Sequence, residues 1–361
     1  MRQTYDYEDN SGGLPLISMA LGVSFFVLLI LVMVVAMNKK PTRNQAASSV
    51  VKEQETEEST ENSTATTGLV ASDLDFWDMY PLEEETEEVE EETKKEPEEE
   101  TTTEEGPEND GKHVEVVFRD GSKEWVEINP YRKKHNYDFT NLVSKNDLLH
   151  YYADGKQISY LGVDLSKYQK KVDFAAIQAE GIDFCMLRVG SRGYSTGSIQ
   201  ADEMFDTHLA GANAVGMPVG LYFYSQAVTE AEAIEEANYV ISRIGQNKIT
   251  YPIAFDMEFV ENDTARIETL TREEKTNIAI AFLKRIEEAG YTGMLYGNKE
   301  WLLKRIDIAK LEQYDIWLSQ EEDIPDYPYL FSMWQYTRQG EIFGIEGYVD
   351  LNISFIDYSA R

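Results

Sequence analysis

From Tyr160 onward, short apolar runs alternate with longer stretches whose apolar positions recur every three to four residues. The first pattern predicts buried strands and the second amphipathic helices. Strands are expected at 161–164, 184–189, 219–224, 253–258, 294–297, 316–319, 331–336 and 348–351, and helices at 173–180, 201–215, 230–244 and 272–289. Gly216 and Gly290 follow two of these helices, as a helix C-terminus favours. Strands joined by helical crossovers predict an α/β fold with a parallel barrel; an open doubly wound sheet is the alternative. The later connections, around 320–347, are short and rich in Pro and Gly, so the last helices of a regular barrel are expected to be missing.

Ahead of this region, residues 112–157 alternate in a different way. His113-Val-Glu-Val-Val-Phe118, the Asp120-Gly121 pair and Trp125-Val-Glu-Ile128 predict a β-hairpin, and Asp154-Gly155 marks another turn. Two or three strands are marginal alone, so this module is expected to pack against the barrel that begins at about residue 158. Residues 38–111 hold few aliphatic clusters and many Glu, Thr and Ser, the composition of an extended, solvated stalk. Within it, Asp73 to Leu82 is an acidic and aromatic island, either a docking motif for a protein partner or an apolar patch in a linker. After a short tail at 1–13, residues 14–37 carry no charge and are long enough to cross a bilayer as one helix. A cleaved signal peptide is the competing reading, but the apolar run exceeds a usual signal core and the flank before it is acidic.

Charge changes the picture in two places. Of the formal net charge of −33, residues 51–110 contribute 24 Asp/Glu against 3 Lys. No segment is basic enough to bind nucleic acid. Lys39, Lys40 and Arg43 follow the apolar span, which under the positive-inside rule favours a cytoplasmic C-terminal region. The single cysteine, Cys185, lies in an apolar run and reads as a buried thiol; the four histidines show no metal-ligand spacing.

Candidate chemistry gathers at the predicted C-terminal ends of the strands, where barrels of this kind place their functional groups. The fourth strand ends in Asp256 and Glu258, which share a face because strand side chains alternate. Two residues of rise separate them by about 6–7 Å, a spacing suited to two carboxyls flanking a scissile bond. Acids buried on a core strand are costly unless they act, which points to acid–base chemistry. The other ends supply Asp164, Arg188, Tyr222 and Tyr224, Tyr296, Trp334 and Gln335, and Asp350 with Asn352. Each has a plainer reading: the aromatics as core filling, Arg188 as an ion-pair partner of Asp164 or Asp256. Their conjunction, acids ringed by aromatics and amides, suits a carbohydrate, whose apolar ring faces stack on Trp and Tyr.

Four motifs carry a resemblance: Gly162-Val-Asp-Leu-Ser-x-x-Gln169, Phe255-Asp-Met-Glu258, Met333-Trp-Gln-Tyr336 and Tyr348-Val-Asp-Leu-Asn352. Together, in this order, residues 160–358 resemble glycoside hydrolase family 25, the lysozymes related to those of Chalaropsis, Streptomyces and pneumococcal phage. Lys170 departs from the family, which often has Gly there. The resemblance implies a modified TIM-like barrel with about five β/α units and additional strands. It also implies cleavage of the β-1,4 bond between N-acetylmuramic acid and N-acetylglucosamine in peptidoglycan. Carried over by position, Glu258 would be the general acid, Asp256 would stabilise the charged sugar, and Asp164 and Asp350 would bind substrate or tune those two. Tyr222, Tyr224, Arg188, Tyr296, Trp334, Gln335 and Asn352 would contact the glycan, and no metal or organic cofactor is called for. A peptidoglycan substrate implies a membrane-anchored chain whose barrel faces the cell wall, against the basic residues after the span. A non-catalytic wall-binding or scaffold module on the same fold is the alternative.

Overall fold

The computed structural model describes residues 107–108, 110–260 and 264–360. The tail at 1–13, the span at 14–37, nearly all of the stalk and the 73–82 island therefore lie outside the described residues. Among those described, no helix is long and apolar enough to cross a membrane.

The expected hairpin is β1 (His113–Val117) paired antiparallel with β2 (Lys123–Glu127), and Gly121 takes a φ of 78° in its turn. β3 (Leu142–Lys145), β4 (Leu148–Ala153) and β5 (Lys156–Gln157) form a second small antiparallel sheet. Its two-residue turns, Asn146-Asp147 and Asp154-Gly155, have positive φ throughout, which Asn, Asp and Gly tolerate best. As expected, the module packs on the barrel. Tyr137 stacks on Phe355 with ring centroids 4.0 Å apart and donates its hydroxyl to the Phe331 carbonyl at 2.6 Å. The Asn129 N–H donates to the Tyr329 hydroxyl at 2.9 Å.

All eight expected barrel strands are present. β6 (Tyr160–Leu165) leads through α1 (Phe174–Ala179) to β7 (Phe184–Arg192), whose end pairs with the short β8 (Ile199–Ala201) outside the barrel. α2 (Phe205–Val215), β9 (Val219–Ser225), α3 (Glu230–Ile244), β10 (Ile253–Met257), α4 (Arg272–Glu288) and β11 (Gly293–Asn298) follow in alternation. The sequence patterns read the helices closely, except that α2 begins at Phe205 rather than near 201. α4 opens with a reciprocal capping box between Thr271 and Glu274, and α2 ends on Gly216 at φ 70°. Beyond β11 the helices shorten as expected: a π-helical turn (Trp301–Arg305) and a 3-10 turn (Ile308–Leu311) lead to β12 (Asp315–Ser319), then β13 (Met333–Gly340) and β14 (Val349–Ser354).

The sheet closes, which rules out the open alternative. β6, β7, β9, β10, β11, β12 and β13 run parallel in sequence, and β14 pairs antiparallel with both β13 and β6. The link between β13 and β14 is too short for a helical crossover, so the chain returns as a hairpin. Consequently the start of β14, not its end, lies at the mouth formed by the C-terminal ends of the other strands.

Alternation along each strand divides two layers of core. Ile253, Phe255 and Met257 join the layer between barrel and helices, while Ala254 faces the barrel interior with Phe184, Met186, Tyr222, Met294, Tyr296, Trp317 and Met333. Phe184 stacks on Tyr251 with centroids 4.2 Å apart near the floor; a Cβ on Gly162 would lie 2.2 Å from the Phe184 ring, so only glycine fits beside it. Along the inward faces the character shifts from apolar to polar toward the mouth: Phe184, Met186, Arg188; Ala254, Asp256, Glu258; Met333, Gln335.

Candidate active site

At that mouth lies a cleft of about 310 Å³ lined by Asp164, Arg188, Tyr222, Tyr224, Asp256, Glu258, Tyr296, Trp317 and Gln335. Seven strands contribute inward-facing residues, β9 two of them and β10 one together with Glu258 just beyond its end. The structure thus brings eight of the eleven residues singled out from the sequence into the lining; Asp350, Asn352 and Trp334 are not part of it.

The acids fall into two pairs. Asp164 on β6 and Asp350 on β14 are direct cross-strand partners, so their Cβ atoms are held close by the ladder itself. Burial first, then the charge of Asp164 and a hydrogen bond to it, hold Asp350 well above the usual carboxylate range. Asp164 is also raised by burial, although hydrogen bonds from Asp350, Asn352 and Gln335 and the nearby Arg188 pull the other way. Both members therefore favour the protonated form more than an isolated carboxyl does.

Asp256 is the penultimate residue of β10 and Glu258 follows one residue past its end. Both line the cleft, confirming the shared face. Burial raises Asp256 well above its ordinary value, and the neighbouring Glu258 adds to this by charge and hydrogen bonding; Arg188 opposes it. Asp256 thus favours its protonated form, and its Oδ1 makes no hydrogen bond among the described residues.

A relay of neutral groups fixes the first pair. Gln335 Nε2 donates to Asp164 Oδ2 at 3.1 Å and Asp350 Oδ2 at 3.3 Å, while its Oε1 accepts from the Tyr296 hydroxyl and from Ser319 Oγ, each at 2.9 Å. Asn352 Nδ2 donates to Asp164 Oδ2 at 2.8 Å, and its Oδ1 accepts from Trp317 Nε1 at 2.8 Å. Asn352 therefore sits behind the cleft wall and orients an acid, where a substrate contact was expected. Burial and the adjacent acids keep the Tyr222 and Tyr296 phenols protonated, so both remain hydrogen-bond donors.

Arg188 lies in the cleft, where its charge acts on both Asp164 and Asp256, and it also grips a carboxylate that was not expected. Its Nε donates to Asp202 Oδ2 at 2.8 Å, a buried pair. Asp202 is anchored in turn by the Lys167 and Met204 N–H groups, each at 2.9 Å. The helical pattern read from 201 takes in Asp202 and so hides it; an Asp just before a helix start is the signal that marks it.

Trp334 corrects an expectation. On β13 the inward residues are Met333 and Gln335, so the intervening Trp334 turns outward into the layer around the barrel. There it packs edge-on against Phe139 and donates Nε1–H to the Gln320 carbonyl at 2.7 Å. The tryptophan that lines the cleft is Trp317, on the one strand whose mouth end was passed over. Alternation with the outward Ile316 and Leu318 was the signal that marks it.

Among the described residues, no cluster of His, Cys, Asp or Glu is arranged to hold a metal ion. The chain's single thiol, Cys185, is sealed in the core, and burial pushes it far up.

The profile of glycosyl hydrolases family 25 matches residues 163–345. A sequence relative, named D-alanyl-L-alanine endopeptidase, from Streptococcus phage B30, is 27% identical over 205 residues, covering 53% of this chain and 42% of the phage protein. The chain thus spans less than half the length of that curated relative. Solved structures that resemble it include a family 25 glycosyl hydrolase from Bacillus anthracis, at 23% identity and a TM-score of 0.48, covering 58% of this chain and 93% of that one. Another is the modular autolysin LytC from Streptococcus pneumoniae, at 20% identity and a TM-score of 0.48, covering 67% of this chain and 56% of that one. The profile match takes in half of the chain, and Asp164, Asp256, Glu258 and Gln335 fall within it: the chain belongs to the glycosyl hydrolases of family 25.

Proposed function

We propose that the protein is an N-acetylmuramidase, cleaving the β-1,4 bond between N-acetylmuramic acid and N-acetylglucosamine in peptidoglycan. The observation that carries this reading is the adjacent carboxyl pair Asp256 and Glu258, buried in a cleft walled by Tyr222, Tyr224, Tyr296 and Trp317. Aromatic faces suit sugar rings, and two carboxyls close enough to raise Asp256 suit acid–base work in which Glu258, the outer of the two, meets the glycosidic oxygen.

In the proposed reaction Glu258 gives its proton to the glycosidic oxygen as the C1–O bond breaks. Negative charge on Asp256 then stabilises the positive sugar. Asp256 Oδ1 makes no hydrogen bond among the described residues but is closed off from solvent, so it would take the N–H of the substrate's acetamido group, orienting its carbonyl toward C1, only once the cleft opens around the sugar. Water completes the reaction by bonding to C1, and its proton returns to Glu258. Asp164, Asp350 and Gln335 set the charge and shape of the far wall. The endopeptidase activity named for the phage relative is not carried over, because the match covers only 42% of that protein.

The native full chain in detergent, incubated with purified peptidoglycan beside Glu258→Gln, is expected to release reducing-end muramic acid that the variant does not. Reducing-end glucosamine, peptide products or intact glycan from the native chain would each sink the reading.

We further propose that residues 14–37 anchor the chain and that the acidic stalk holds the barrel on the wall side. The substrate class supports this reading, and the length of the uncharged span agrees with it. External protease added to wall-stripped cells should then remove the barrel from the membrane; protection until lysis would reverse the orientation.

A further inference from the structure

Glu258 occupies an awkward place. The ladder between β9 and β10 ends at the pair Met257 and Ser225, so the carboxyl proposed to act as acid lies one residue beyond the last sheet pairing. What holds it is a set of side chains. On one side Gln226 Nε2, fully buried, donates to the Glu258 carbonyl at 2.8 Å. On the other, the ring of Phe259 is enclosed by three cations and a tryptophan: Arg119 Cζ 4.5 Å, Arg305 Cζ 5.1 Å and Lys275 Nζ 5.4 Å from its centroid, with the Trp301 ring edge-on at 5.1 Å.

Arg119 differs from the other three in origin. It lies just beyond β1, in the turn of the N-terminal hairpin, outside the 163–345 segment that matches the family. Yet it makes four ties around this segment. Its Nη1 reaches the Val260 carbonyl at 3.4 Å, and its fork grips Glu268, Nη1 to Oε1 at 2.8 Å and Nη2 to Oε2 at 2.9 Å. Its guanidinium covers Phe259, and its backbone N–H donates to Glu300 Oε2 at 3.1 Å. Glu300, largely buried, also accepts from Arg305 Nε at 2.8 Å, so one carboxylate joins the hairpin turn to a second cation over the same ring. Lys304 to Glu124 at 2.8 Å fastens the second hairpin strand to the same π-helical turn.

We infer that the hairpin β1–β2 is a strap on the catalytic segment, and that Arg119 is a positioning residue that holds Glu258 in register with Asp256. This rests on the reading of Glu258 as the general acid. A planar guanidinium fork fits such a role, because it stacks on one residue while pairing bidentately with another, which an ammonium cannot do. Because Arg119 acts on the acid through Phe259 and Val260 and lines no part of the cleft, its loss is expected to slow the chemical step and to leave substrate binding intact.

The test compares the native full chain with Arg119→Ala, Arg119→Lys and Glu268→Gln on a soluble glycan-strand fragment. For Arg119→Ala, kcat per folded molecule should fall about tenfold, since small misplacements of a reacting group are costly, while KM changes less than about twofold. Arg119→Lys should recover part of the loss, and Glu268→Gln should show a smaller loss in the same direction. Hydrogen exchange in peptides spanning 253–260 should quicken in Arg119→Ala and stay unchanged elsewhere in the barrel. Native kcat per folded molecule in Arg119→Ala, or a loss confined to KM or to the yield of folded protein, overturns the inference while leaving the functional reading intact. A native chain that cleaves no glycan overturns that reading, and unchanged exchange at 253–260 overturns the strap without reference to activity.

Discussion

Asp164 and Asp350 face one another across two antiparallel strands, whereas Asp256 and Glu258 follow one another along a single strand edge. Both pairs are buried and in both burial and a neighbouring acid raise a carboxyl above its ordinary range, yet their surroundings differ. The cross-strand pair is bound by Gln335 and Asn352, whose own amides are oriented by Tyr296, Ser319 and Trp317. The along-strand pair has an oxygen, Asp256 Oδ1, without a hydrogen-bond partner among the described residues, and its outer member lies beyond the sheet. A carboxyl locked into a full network is well placed to set a field and poorly placed to move a proton. One left with unused bonding capacity at the edge of a cleft has the reverse properties.

The contrast predicts unequal consequences. Glu258→Gln should lower kcat by about a thousandfold or more, the upper part of the range for losing a general acid, measured as reducing ends released from peptidoglycan. Asp350→Asn should cost only about tenfold, comparable to one pKa unit of lost tuning. It should also be more stable than the native chain, with a particular pH dependence. The folded-state value of Asp350 is raised, so its contribution to stability is present below its unfolded value and lost as pH rises through the folded value. The amide removes that loss. The Tm advantage of Asp350→Asn should therefore be near zero in acid and grow toward alkaline pH, to about 2–4 °C for each kcal/mol recovered. An advantage that shrinks with rising pH would mean that Asp350 is not raised as described.

The smallest expected difference concerns the two tryptophans. Trp317→Phe and Trp334→Phe each leave a buried acceptor, Asn352 Oδ1 or the Gln320 carbonyl, without its donor, so each should lose about 1–3 kcal/mol of stability. Only Trp317→Phe should also lower kcat, because Asn352 orients Asp164. Equal activity in the two variants would remove Trp317 from the site.

Much of this architecture was legible in one dimension. Period-two and period-3.6 patterns located all eight barrel strands and the four helices, because burying a strand or one helix face imposes those periods. The Asp-x-Glu spacing placed Asp256 and Glu258 on one face for the same reason. Where reading strand ends failed, alternation was not carried through: Trp334 was taken with Gln335 although neighbours on a strand point opposite ways, and Trp317 was passed over. Other contacts had no local signal. Arg188 pairs with Asp202, 14 residues on, and Arg119 reaches Glu268 across 149 residues of chain. No periodicity links such positions, since their meeting depends on how closed elements pack.

By itself, then, the sequence determined the order and kind of the elements, the inward face of each strand and the acids available at the mouth. These follow from the geometry of single strands and helices and from the cost of burying charge. Tertiary structure alone decided that the sheet closes, that β14 returns antiparallel to set Asp350 opposite Asp164, and that the N-terminal hairpin reaches the segment behind Glu258. Those outcomes depend on loop closure and on contacts between residues far apart in the chain. Their energies exist only once the whole barrel has formed.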